Sequence, residues 1–64
     1  MVKYFRSNPY LGTYYEISEE LALKKIKSKQ WISAWDDYYQ RSRNDAWYNM
    51  KDPERDWIFK EKQQ

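Results

Sequence analysis

The chain has no cysteine and no histidine, a single glycine, two prolines, and only eight Val, Leu or Ile among its 64 residues. Each shortage excludes something. Without cysteine there is no disulfide framework, and without Cys and His the usual zinc and haem ligands are missing. One glycine cannot build a glycine-rich phosphate loop. Nucleophilic catalysis by Ser or Thr wants an adjacent base, most often His, and the five serines sit at cap positions or on polar stretches. The longest stretch free of charge is Ser7 to Tyr15, far short of the ~20 apolar residues of a membrane-spanning helix. The start, Met1-Val2-Lys3-Tyr4-Phe5-Arg6, holds no apolar run of secretory-signal length. Lys3 and Arg6 without an acid faintly resemble a mitochondrial presequence, but Pro9 and Gly12 argue against a continuous amphipathic helix. No cleaved targeting segment is expected.

What is abundant is aromatic: four Trp, seven Tyr and two Phe. A self-sufficient small domain normally fills its core with branched aliphatics. Tyr and Trp need a hydrogen-bond partner when buried and are enriched at interfaces between macromolecules. A chain this short is marginal on its own surface-to-volume ratio. The balance predicts that much apolar surface is covered by something else. Twelve Lys and Arg against ten Asp and Glu leave a net charge of +2, well below a polybasic tail.

The punctuation predicts a mainly α chain of three short helices behind an N-terminal arm. Residues 1–17, with Asn8-Pro9, Gly12 and the β-favouring Tyr4, Phe5, Tyr14 and Tyr15, read as an extended arm or a short hairpin. Residues 18–64 read as a small helical domain. Ser18 before Glu19 and Glu20 predicts a helix over 19–29. Ser33-Ala34-Trp35-Asp36 fits a capping box, predicting a helix over 34–50 with Trp35, Tyr39, Ala46 and Met50 inward. Asp52-Pro53-Glu54 predicts a third over 53–61 with Ile58 inward.

No catalytic, cofactor-binding or metal-ligating residue is predicted, and the chain is expected not to be an enzyme. Glu19-Glu20 and Asp36-Asp37 stand where helix starts attract acids. The expected role is that of a structural accessory subunit or protein-interaction module in a larger assembly. The arm, rich in rings and poor in aliphatics, is expected to be poorly ordered alone and to dock on a partner. The interface candidates are Tyr4, Phe5, Arg6, Tyr10, Tyr14, Trp31 and Trp47, with Lys3 at the rim. The alternative is a small nucleic-acid-binding or virus-type regulatory protein, with Lys24, Lys25, Lys27, Lys29, Arg41 and Arg43 following phosphates while rings stack on bases.

Two segments resemble known families. Arg43-Asn44-Asp45-Ala46-Trp47-Tyr48-Asn49-Met50, preceded by Glu20-Leu21-Ala22-Leu23-Lys24-Lys25-Ile26, resembles a small accessory subunit of mitochondrial NADH:ubiquinone oxidoreductase (complex I). That likeness implies a non-catalytic subunit of a respiratory-chain assembly in the mitochondrion; without it, an intracellular, cytoplasmic protein is expected. Trp35, Asn44-Asp45-Ala46-Trp47-Tyr48 and Glu54-Arg55-Asp56-Trp57-Ile58-Phe59 resemble the pattern of FF domains, which implies a three-helix protein-binding module. Here Ala46-Trp47 stands where FF domains carry a Pro-Arg pair.

Overall fold

Residues 2–62 are described by the structure, a computed structural model. They form a five-stranded antiparallel sheet in the order β2-β1-β5-β4-β3, with one helix. In chain order these are β1 (Val2–Asn8), β2 (Thr13–Ile17), α1 (Glu19–Ile26), β3 (Trp31–Asp36), β4 (Arg41–Asn49) and β5 (Trp57–Lys62). The expectation of a mainly α chain is therefore wrong.

The correction is specific. A helix is present after Ser18, whose Oγ accepts from the Leu21 N–H at 3.1 Å, and it ends at Ile26 rather than Lys29. The expected helix over 34–50 is instead a β3–β4 hairpin. The Asp36 carboxylate, read as part of a capping box, accepts from the N–H groups of Tyr38 and Tyr39, which closes a turn and not a helix. Gln40 then takes the left-handed region, at φ 51°. Trp31, Ile32, Trp35, Trp47 and Tyr48 are β-favouring types, and pairing across the hairpin outweighs the helical spacing of Trp35, Tyr39, Ala46 and Met50. The expected helix over 53–61 amounts to one turn: the Asp52 carbonyl accepts from the N–H groups of Arg55 and Asp56, and β5 begins at Trp57. Of the residues expected inward, Ala46 and Ile58 are fully buried, but Trp35, Tyr39 and Met50 are more than half exposed.

Residues 2–17 fold as a hairpin. The Asn8 side chain accepts from the N–H groups of Tyr10 and Leu11, and Gly12 completes the turn at φ 67°. β1 lies between β2 and β5, in register from Val2↔Lys62 to Ser7↔Trp57 on one side and Tyr4↔Ile17 to Asn8↔Thr13 on the other. It is thus an interior strand, not a separate arm.

Side chains alternate between the two faces of a strand, so the registers assign each face. Tyr4, Ile58 and Trp47 lie on one side, covered by α1 through Ala22, Leu23 and Ile26 and joined by Trp31. The Arg6 guanidinium, on the same face, makes two 2.8 Å hydrogen bonds to the Asp56 carboxylate, which also accepts from Asn49 at 3.1 Å. Arg6 further stands 6.0 Å from the Trp31 ring centre. This ion pair fastens the centre of the sheet to the loop before β5.

Candidate interaction surface

The opposite face has no helix among the described residues. Cross-strand partners share a face, so the registers place Phe5, Phe59 and Ala46 in one row across β1, β5 and β4. The next row runs Tyr14, Ser7, Trp57, Tyr48 and Ile32 across all five strands. Ala46, directly across from Phe59 on β4, is fully buried.

The rings form one connected chain. Phe5 and Tyr14 are stacked at 4.8 Å and 9°; Tyr14 meets Phe59 at 6.3 Å; Phe59 and Trp57 are stacked at 5.8 Å and 12°; Trp57 meets Tyr48 at 5.4 Å. The Trp57 indole N–H is already engaged, donating to the Pro53 carbonyl at 2.8 Å. A recess of about 280 Å³ is lined by Ser7, Pro9, Arg43, Trp57 and Phe59. The borders carry charge of both signs. Lys3 lies 3.9 Å from Glu16, and Arg43 makes a 3.0 Å contact with Asp45. Partial burial raises the Tyr14 hydroxyl above its ordinary value, and the nearby Glu61 carboxylate adds to the shift.

The interface candidates divide accordingly. Phe5 and Tyr14 are in the ring chain. Tyr4 and Trp31 are buried in the core, at 5% and 8% exposure, so neither is available to a partner: strand alternation turns both toward α1. Trp47 packs against that same core, and Arg6 is held by Asp56. Tyr10 lies on the β1–β2 loop, where its hydroxyl donates to Glu54 at 2.9 Å and Arg55 stands 4.9 Å over its ring. The sequence reading missed Trp57, Phe59, Tyr48 and Ile32 as surface residues. The signal that could have found Trp57, Phe59 and Tyr48 is two-residue alternation, which sets Trp57 and Phe59 opposite in face to Ile58, and Tyr48 opposite in face to Trp47.

The six basic candidates do not converge. Lys24 and Lys25 belong to α1 and Lys27 and Lys29 follow it, on the far side of the sheet from the rings. Arg41 stands 5.0 Å over Tyr39 at the β3–β4 turn. Only Arg43 reaches the ring face. Among the described residues no three acidic side chains gather where a metal ion could bind, and no helix is long and apolar enough to cross a membrane.

Comparison of the chain with family models, curated proteins and solved structures gives no match. Neither the complex I likeness nor the FF likeness gains support. The FF pattern falls on β3, β4 and β5, so the three-helix module it implied is not this fold. The protein is a β-sheet protein and not a helical one, and nothing in the comparisons supports a mitochondrial or respiratory-chain role.

Proposed function

We propose that this chain is a non-catalytic protein-interaction module that seats its ring-bearing sheet face on another protein within a larger assembly. The observation that carries this reading is the chain of five connected rings on the face opposite α1. Apolar surface removed from water is worth about 25 cal/mol per Å², and aromatic anchors around a recess are the residue types that dominate binding hot spots.

A nucleic-acid partner fits the same face less well. A base stacks on a free ring face, whereas Phe5 stacks on Tyr14 and Trp57 on Phe59, so neighbours already occupy much of those faces. Glu16 and Glu61 share the Lys3 end of the face, where they would repel phosphate. The lysines that could follow a backbone lie on the other side.

The test compares the wild-type chain with Tyr48→Ser/Ile32→Ser as baits, with quantitative mass spectrometry of what each retains. A protein held by the wild type, lost from the double variant and kept by Lys24→Ala/Lys27→Ala supports the reading. Oligonucleotide binding that falls steeply with salt and depends on those lysines would overturn it.

A further inference from the structure

The two edges of the sheet differ. Natural edge strands are protected against pairing by lysine, proline, bulges or covering segments. The β3 edge is interrupted: its pairing with β4 breaks register between Ser33 and Trp35, the extra residues lying in β4, which distorts the pair locally, and α1 contacts its inner face. β2, at the other edge, has none of them. Its sequence, Thr13-Tyr14-Tyr15-Glu16-Ile17, contains no lysine, proline or glycine, and its register with β1 is unbroken. Thr13 through Glu16 are exposed. Its one charge is matched from within, by Lys3 at 3.9 Å from Glu16.

We propose that β2 pairs with β2 of a second copy of this chain, antiparallel about a two-fold axis at Tyr15, to give a ten-stranded sheet. The self-complementarity of the strand selects this occupant. With Tyr15 opposite Tyr15 of the other copy, Tyr14 falls opposite Glu16 and Thr13 opposite Ile17. That register uses all five residues and sets a phenol beside a carboxylate twice. Centring the pair on Glu16 would oppose two like charges, which is destabilising. A two-fold axis perpendicular to the sheet leaves both ring faces on the same side, so the two rows join through Tyr14 into one double-length surface. A net charge of only +2 per chain adds little repulsion. Pairing at this edge does not depend on what the ring face binds.

Sedimentation equilibrium at high micromolar concentration is expected to show twice the 8.1 kDa chain mass. Tyr15→Glu puts two carboxylates opposite each other at the axis, while in the monomer Arg6 lies across from it on β1; it should weaken association about tenfold or more. Tyr48→Ser, on the far side of the ring face, should leave association unchanged. Because the chain has no cysteine, Tyr15→Cys supplies an independent readout. Opposed residues of an antiparallel pair lie about 4.5–5.5 Å apart at Cα, within disulfide reach, so mild oxidation should give a covalent dimer with the circular dichroism of the native chain. Three results overturn the proposal: a monomer at every concentration, a dimer that withstands Tyr15→Glu but not Tyr48→Ser, or a Tyr15→Cys variant that sediments as a dimer yet forms no cross-link on oxidation.

Discussion

The two faces of this sheet are made from similar residue types and end in opposite states. On the covered face Tyr4, Trp31, Trp47 and Ile58 meet α1, and the polar groups are matched, Arg6 to Asp56 and Asp56 to Asn49. On the open face Phe5, Tyr14, Phe59, Trp57 and Tyr48 meet one another and then solvent. With eight aliphatics in the whole chain, rings serve both as core and as surface. What separates the two roles is α1, the one helix among the described residues, which packs on a single face of the sheet. Composition alone therefore indicated that aromatic surface is left over but not which rings carry it; strand parity decides that.

The covered face is most vulnerable at Ile58, the largest side chain that is fully buried. Ile58→Ala removes three carbons at the contact between α1 and the sheet, and such changes cost about 2–5 kcal/mol. A domain of this size has few kcal/mol in hand, so the variant is expected to be largely unfolded by circular dichroism at room temperature. A cooperative urea transition close to that of the wild type would mean that the covered face is not the one holding the fold together.

The next largest effect is at the ion pair. Burial by itself would raise the Asp56 carboxyl, but hydrogen bonds from Arg6 and Asn49 and the charges of Arg6 and Lys25 outweigh it and hold the group below its ordinary value of 3.8. A carboxyl depressed in the folded state binds fewer protons there than in the unfolded chain. Its contribution is thus fully present above 3.8 and is lost as pH falls through the depressed value. Asp56→Asn should cost about 1–3 kcal/mol at neutral pH, and its melting temperature should fall less steeply than that of the wild type on acidification. Parallel curves for the two proteins would show that Asp56 is not the carboxylate responsible.

Much of the local chemistry was legible in the sequence while its continuation was not. Ser18 with Glu19 and Glu20 does begin a helix. Asp52-Pro53 does begin a helical turn, but nothing sustains it, because Trp57 and Phe59 find partners across β1 and β4. Between 31 and 50 the spacing of Trp35, Tyr39, Ala46 and Met50 matched a helical face by coincidence, and the absence of Gly and Pro concealed the turn at Gln40. That turn relies on the Asp36 side chain, an acceptor that serves a helix cap and a hairpin turn equally well. Tyr4, Phe5 and Tyr14 all read alike as interface rings, and Tyr4 was not distinguishable from Phe5, since neighbours on a strand differ only in parity and the register is set by β5, more than fifty residues away.

On the open face the expected effects on stability are smaller. Tyr48→Ser removes a ring at the end of the chain of contacts, where Trp57 is its one ring neighbour. It should cost about 1 kcal/mol or less by urea titration, while abolishing partner capture. A loss comparable to that at Ile58 would erase the distinction between the faces.

Effects of the same small order belong to the two hairpin turns, which lie on neither face. Each places one residue at positive φ: Gly12 at 67° and Gln40 at 51°. A residue with a Cβ in this region loses about 1–2 kcal/mol relative to its favoured conformations, whereas glycine enters it freely. Gly12→Ala meets no atom within 4 Å, so its cost should be this backbone term alone, reduced by the lower entropy of the unfolded chain. Gln40→Gly runs the exchange in reverse: it relieves the strain and adds freedom to the unfolded state, and the difference should leave the protein more stable by under about 1 kcal/mol. Because Gln40 is exposed and outside the ring chain, its substitution should leave partner capture unchanged. A destabilised Gln40→Gly would mean that the Gln40 side chain holds the turn in a way its backbone angle does not indicate.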